Sequence, residues 1–351
     1  MQLDVALLGF GNVGRSLGGL LLRKRDALQN DYGLTLRVVG ISTGRHGQAI
    51  DPEGIDMEAA LSLVNEGKTL AALHQGAEMA DTPGFLAKVP AQLLFETIPT
   101  NPHDGQPAFA YLYGALERGI HVVTANKGPI AFGYQELTQL ARRKKVGFLF
   151  ESTVLGGSPV HALLREAFPG AEVKRIRGVL NSTTNYILDR MEQAGLEFDA
   201  ALKQAQEIGV AETDPTLDID GWDAAIKITI LANVWMGAEL VPADVDRTGI
   251  AEVSITDLRH QMDQDKRTRL VCEAWPGDDG KIKAKVAPQA LPLDDLMTSL
   301  HGTDSLVQIE TDTLPMTTLI DSGSGKQTTA YGMFVDMLNI LRGRHDTSIK
   351  R

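Results

Sequence analysis

The stretch from Leu3 to Leu21 limits the possible folds more than any other part of the chain. Leu3 to Leu8 is a short apolar run with one acid, Asp4, and it leads into Gly9-Phe10-Gly11-Asn12-Val13-Gly14. Val13, Leu17, Leu20 and Leu21 then recur at helical spacing. Strand, G-x-G-x-x-G, helix is the order of a dinucleotide-binding turn. Gly9 permits the tight turn, Gly11 lets backbone approach a pyrophosphate, and Gly14 lets helix and strand pack closely. The helix N-terminus adds free N–H groups and a partial positive charge that suit phosphate. Gly9, Phe10, Gly11, Asn12, Val13 and Gly14 are therefore the expected cofactor-binding turn.

Further β and α patterns alternate through residue 150. Leu36–Ser42, Leu93–Ile98, His121–Ala125 and Gly147–Phe150 read as strands, with helical stretches such as Pro107–Arg118 and Tyr134–Lys145 between them. Such alternation implies an α/β fold, a Rossmann-type doubly wound parallel sheet over residues 1–150. Residues 151–325 read as a second, α+β domain. Its helices fall around 158–168, 182–194, 199–208 and 221–236, and strand-like runs at 173–180, 268–274, 282–287 and 305–311 suggest a mixed sheet. From Thr328 to Leu341 the pattern is helical again, and the segment 326–351 is expected to return to the first domain.

Composition narrows the partners. A length of 351 residues allows two domains with a large core. A net charge of −11 argues against nucleic acid and anionic membranes. Arg142-Arg143-Lys144-Lys145 is a lone basic cluster at a helix end, where cations suit the dipole. No apolar run approaches the roughly 18 residues of a membrane span. One cysteine, Cys272, excludes an internal disulfide framework, and with an N-terminus unlike a signal peptide the chain reads as cytoplasmic. The histidines form no H-E-x-x-H and no Cys/His cluster, so a catalytic zinc has no support.

Strand ends supply the rest of the expected site. The second strand ends in Gly40-Ile41-Ser42-Thr43-Gly44-Arg45-His46, without the acid that usually holds an NAD ribose. Arg45 and the hydroxyls suit a 2′-phosphate, which favours NADP, unless Arg45 is a solvated loop residue. Glu96-Thr97-Ile98-Pro99 and Thr124-Ala125-Asn126-Lys127 end two further strands, where open α/β sheets bind ligands. Lys127 is thus expected to point toward cofactor or substrate, unless it is merely exposed, and the loop that holds Ile98 is expected near the nicotinamide half. Glu151 to Pro159 joins a hard oxygen to glycines that free backbone carbonyls. That combination suits a small cation, or simply a turn that caps a helix.

Residues 205–227 are the expected place for acid–base chemistry. Glu212, Asp214, Asp218, Asp220, Asp223 and Lys227 crowd together, and a helix begins at Gly221. Asp220, Asp223 and Lys227 fall at i, i+3 and i+7, on one face of it. The helix is otherwise apolar nearly all round and must be buried, so its charges must pair or line a cleft. A lysine flanked by carboxylates stays charged and can donate a proton. The plainer alternative is an i,i+4 surface ion pair with Asp220 as N-cap.

Taken together, the chain resembles homoserine dehydrogenase in its short form, without a C-terminal regulatory domain. Ala205, Gly209, Val210, Ala211, Asp214, Pro215, Asp218, Gly221, Asp223 and Lys227 fill the family signature without a gap. Gly9–Gly14, Thr124–Pro129, Glu151–Pro159 and Leu180–Leu188 match as well, and Gly323-Ser324-Gly325 resembles the closing cofactor contact. The resemblance implies reversible, NADP- or NAD-dependent interconversion of L-homoserine and L-aspartate 4-semialdehyde, in the threonine and methionine branch of amino-acid biosynthesis. It implies Lys227 as proton donor and acceptor and Lys127 as a second lysine between nicotinamide and substrate. Glu212, Asp218 and Asp223 would bind the small-molecule substrate, and Gly325 the cofactor. Glu151, Val154, Gly156 and Ser158 would hold a monovalent cation, sodium, the last three through carbonyls. Ser182, Ile98 and Val210 depart from the family pattern. A homodimer built through the second domain is also implied, and Val173, Ile176, Val179, Leu180, Leu306, Val307 and Ile309 are expected to leave an apolar sheet face bare for it. Aspartate-semialdehyde dehydrogenase is disfavoured because Cys272 lies outside every motif, and a non-catalytic dinucleotide sensor because Lys227, Asp223 and Glu212 are intact.

Overall fold

A computed structural model describes residues 1–76 and 78–345. The chain divides into two compact units, one of Met1–Ala162 with the segment that starts at Gly325, the other of Leu163–Ser324.

The first unit is built on strands β1 (Gln2–Leu8), β2 (Thr35–Ser42), β3 (Gln48–Ile50), β4 (Leu93–Glu96), β5 (His121–Thr124) and β6 (Phe148–Leu149). Their spatial order is β3-β2-β1-β4-β5-β6, the doubly wound order. All neighbours are parallel except β3, which pairs antiparallel with β2 and was not expected from sequence. The sheet therefore departs from an all-parallel one at this edge. Val5, Leu7, Phe95, Leu17, Met333 and Met337 share one buried cluster, so the C-terminal helix Lys326–Leu341 belongs to the core of this unit. The part of the expected 326–351 segment beyond His345 lies outside the described residues.

The helix expected at Tyr134–Lys145 starts earlier, at Lys127. Gly133 interrupts its helical geometry, and a Cβ there would sit 2.0 Å from the Phe109 ring. The kink lets Phe109 pack against bare backbone, which is why the helical pattern reads cleanly only after it.

The second unit holds β7 (Val173–Val179), β8 (Asp246–Arg247), β9 (Lys266–Pro276), β10 (Ile282–Pro292), β11 (Ser305–Thr311) and β12 (Thr317–Asp321). They lie in the order β12-β11-β7-β9-β10-β8, antiparallel except for the short β8–β10 pair. The mixed sheet is as expected, but its apolar residues are not bare. Val173, Ile176, Val179, Leu180, Leu306, Val307 and Ile309 are all buried within the single chain. Val179 and Leu306 cluster with Val271, Leu291, Met297 and Leu300, while Arg175 and Arg177 pair with Glu273. The sequence reading overlooked the cover that residues 291–300 give this face.

Helix Trp222–Met236 is buried nearly all round, as its composition requires. Gly221, left-handed at φ +78°, is its N-cap, and Asp220 instead ends the preceding short helix Thr216–Ile219. Asp220 is thus off the face expected for it, with its carbonyl held by Arg247.

Candidate active site

The turn after β1 is shaped by exclusion. Gly9 has φ +100°, and a Cβ there would lie 2.6 Å from the Thr97 carbonyl carbon. A Cβ on Gly14 would lie 2.3 Å from the Gly9 carbonyl oxygen. Gly11 is exposed, with open space where its Cβ would be, and no side chain caps helix Asn12–Arg23, which follows it. The first N–H groups of that helix are therefore available to an anion, which fits the pyrophosphate of a dinucleotide. The Phe10 ring is buried against Gly18 in the core, so Phe10 joins the turn through its backbone. Val13 also packs on that core. Asn12 is exposed and accepts a bond from Arg15 Nη2 at 3.0 Å. Arg15, missed from sequence, also donates to Asn65 Oδ1 at 2.9 Å. A cation one residue after the last fingerprint glycine was the available signal.

Arg45 sits in the hairpin between β2 and β3, which is closed by Thr43 N–H donating to Gly47 O at 3.0 Å. Its side chain is exposed, and no hydrogen bond or ion pair engages it among the described residues.

At the carboxyl ends of β4 and β5 lies a residue the sequence reading did not single out. Glu96 is fully buried. One oxygen accepts from the Thr124 hydroxyl at 2.5 Å; the other accepts from Ile98 N–H at 2.7 Å and Asn126 Nδ2 at 3.2 Å. Burial pushes its carboxyl up to about 7, against the pull of these donors. Asn126 caps the helix that begins with half-buried Lys127, accepting from Gly128 N–H at 3.1 Å. Gly325 caps helix Lys326–Leu341 through its backbone and is exposed.

In the loop after β6, Glu151 is buried and its two oxygens accept from His161 N–H at 2.7 Å and Ala162 N–H at 2.8 Å. Ser158 O accepts from Val160 N–H at 2.8 Å. Among the described residues no group of three or more His, Cys, Asp or Glu could hold a metal ion.

The acid–base cluster lies in the second unit. Lys227 Nζ pairs with Asp223 Oδ2 at 2.9 Å and donates to Leu180 O at 2.6 Å. The two side chains are only 14% and 13% exposed, which sets them apart from a surface pair. Asn181 Nδ2 donates to Asp223 Oδ2 at 2.9 Å and to Asp218 Oδ1 at 2.6 Å. Asn181 is itself fixed as N-cap of helix Ser182–Ala194, accepting from Thr184 N–H at 2.8 Å. Burial raises the Asp218 carboxyl above its ordinary range, the Asp223 carboxylate adds to this, and Asn181, Thr183 and Lys227 oppose it. Sequence reasoning found Asp218, Asp223 and Lys227 but not the bridging Asn181 or Thr183. Glu212 is exposed and stands outside this hydrogen-bonded cluster. Cys272 is fully buried, and burial pushes its thiol up to about 12, so it offers no thiolate nucleophile.

A dinucleotide turn on a doubly wound sheet, and a half-buried lysine paired with one carboxylate and one backbone carbonyl, are the parts of an NAD(P)-dependent oxidoreductase that moves a proton along with a hydride. The family described as homoserine dehydrogenase, NAD binding domain, matches residues 9–151, and the family described as homoserine dehydrogenase matches residues 159–338. An NAD(+)-dependent homoserine dehydrogenase of Pseudomonas canavaninivorans is 35% identical over 97% of this chain and 96% of its own length. A homoserine dehydrogenase of Methanocaldococcus jannaschii is 36% identical over 96% and 98%. A hyperthermophilic archaeal homoserine dehydrogenase solved in complex with NADPH superposes with a TM-score of 0.82 at 30% identity, over 98% of both chains. The chain belongs to the homoserine dehydrogenase family. Its reaction is the reversible, NAD(P)-dependent interconversion of L-homoserine and L-aspartate 4-semialdehyde.

Proposed function

We propose that Lys227 gives a proton to the substrate oxygen when the aldehyde is reduced and takes it back when homoserine is oxidised. The Asp218–Asn181–Asp223–Lys227 cluster carries this reading. An ammonium has three donors; Asp223 and Leu180 engage two, which leaves one for the substrate oxygen. The nicotinamide, when bound, supplies or accepts the hydride. Asp223 keeps Lys227 oriented and charged, and Asp218 with Asp223 offers acceptors to the substrate's amino group and hydroxyl. Glu212 and Lys127 join the site through family resemblance. Homoserine-dependent reduction of NADP⁺ and NAD⁺, followed by absorbance, tests the whole assignment; no reduction with either cofactor would sink it.

NADP is the favoured cofactor, because Arg45 is uncommitted and can meet a 2′-phosphate. Gly9, Gly11, Asn12, Gly14 and Gly325 hold the dinucleotide through backbone and exposed positions, with Ile98 at its nicotinamide half. Sodium is the favoured cation at Glu151, Val154, Gly156 and Ser158. A homodimer and a cytoplasmic setting belong to the same reading, as does the threonine and methionine branch. The lone buried cysteine suits a reducing compartment. Among the described residues no helix is long and apolar enough to cross a membrane. Support for the dimer moves to the β12 edge, where Leu314, Met316 and Ile320 are exposed.

A further inference from the structure

The β4–β5 ladder ends at the pair Glu96 and Thr124. Beyond it the chain splays into two loops, and side chains take over from the backbone ladder. Glu96 accepts from Ile98 N–H, and Asn126 Nδ2 reaches Ile98 O at 3.3 Å, so both polar groups of the Ile98 backbone are held. Thr124 Oγ accepts from Asn126 N–H at 2.9 Å and donates its own proton to Glu96. Asn126 Nδ2 also donates to Glu96, while Asn126 Oδ1 caps the helix that starts at Lys127. Every donor that converges on Glu96 belongs to one of the two loops, or to the last residue of the strand that feeds one.

The choice of side chain is informative. A fully buried carboxylate is costly, and a glutamine of the same shape would be cheaper to bury. Glutamine fails on polarity. Thr124 Oγ accepts from Asn126 N–H, and its own proton goes to Glu96. Only the ionised carboxylate, an acceptor on both oxygens and the prevailing form above about pH 7, takes all three donors. A glutamine that kept the Ile98 and Asn126 bonds on its oxygen would turn its NH2 to Thr124 and leave the threonine proton without its acceptor. Charge-assisted bonds are also about twice as strong as neutral ones.

We infer that Glu96 is a positioning residue: as an acceptor-only joint it locks the Ile98 and Asn126–Lys127 loops in one mutual register, and so sets where Ile98 and Lys127 meet the nicotinamide half of the cofactor. This rests on the proposed role of those two loops. The joint does not touch the reacting atoms; it acts through Asn126 and the Ile98 backbone.

The test compares Glu96→Gln, Thr124→Val and Thr124→Ser in the full-length protein. At pH 8, where Glu96 is ionised, Glu96→Gln and Thr124→Val should each lower kcat and weaken NADPH binding, titrated by its fluorescence, about tenfold, or roughly 1.4 kcal/mol. The double variant should be no worse than either single one, because both break the same joint. Thr124→Ser keeps the hydroxyl and should stay within about twofold of wild type, far inside the tenfold that 1.4 kcal/mol makes. The melting temperature of Glu96→Gln at pH 8 should be no lower than wild type, an outcome a merely structural role does not give. Wild-type kcat and NADPH affinity in Glu96→Gln, or additive losses in the double variant, would overturn the inference. If Glu96→Gln does not fold, Thr124→Val against Thr124→Ser decides alone. Lys127→Met separates the two layers of the argument. A normal Lys127→Met overturns the loop assignment and the inference with it, whereas an impaired Lys127→Met beside a normal Glu96→Gln overturns the inference alone.

Discussion

Lys227 and Asp223 lie one helical turn apart, yet their pairing carries weight only because Asn181 and Asp218 enclose it from another element. Lys227→Ala should lower turnover at least ~10²-fold, the usual contribution of a general acid–base group, with dinucleotide binding little changed. Near-normal turnover would take Lys227 out of the mechanism. Arg45→Ala should weaken NADP binding far more than NAD binding, since only NADP offers a 2′-phosphate; equal titration losses for the two cofactors would make Arg45 a bystander. Glu96 gives a pH prediction. Its folded-state value, about 7, stands above the ordinary 4.5, and its partners Thr124, Asn126 and Ile98 carry no charge. The group therefore contributes stability that is fully present below about pH 4.5 and lost as pH rises through about 7. The loss is on the order of 3 kcal/mol. Glu96→Gln cannot titrate, so denaturation curves should show its stability gaining on wild type across that interval. A constant gap between the two would refute the assignment.

Elements meet closely where glycine permits it. Gly157 faces helix Lys326–Leu341 so tightly that a Cβ would lie 2.2 Å from Thr328 O, and Gly332 of that helix lies against Ser152 and Gly156 O. Gly157→Ala should cost about 1–3 kcal/mol through overpacking and shift the expected cation loop with it. Gly114, inside helix Ala108–Glu117 with open space at its Cβ, gives the opposite sign: Gly114→Ala should gain about 0.5–1 kcal/mol. Thermal melts of the two variants check both. The long strands and helices were legible because their periodicity runs over many residues. Strands β3, β8 and β12 were not: β3 is set by the hairpin turn behind Ser42, β8 is only Asp246–Arg247, and β12 alternates weakly because it is half-exposed on both faces.

At the scale of the whole molecule, the proposed dimer is testable by light scattering at micromolar concentration. A mass near 37.9 kDa, rather than twice that, would rule out a stable homodimer. Ile176 looks like an interface residue in sequence, but it is fully buried within one chain. Ile176→Asp should therefore unfold or aggregate the protein instead of releasing folded monomer. Ile320→Asp, on the exposed edge strand, should keep the fold and weaken association.

What the sequence determined by itself was whatever short-range geometry dictates. The glycine fingerprint after an apolar strand implies a tight turn and a helix N-terminus, and the 3.6-residue period places Asp223 and Lys227 on one face. Motif resemblance gave the family and most of the named site. Only the tertiary structure decided which groups lie within hydrogen-bond reach across elements. Asn181 joins Asp218 to Asp223 although it lies 37 and 42 residues before them in the chain, and Glu96 ties two strand ends together. The Phe10 ring turns into the core, and the apolar faces of β7 and β11 are covered from within the chain. These outcomes follow from packing and burial, which depend on which elements become neighbours, and local sequence does not encode that.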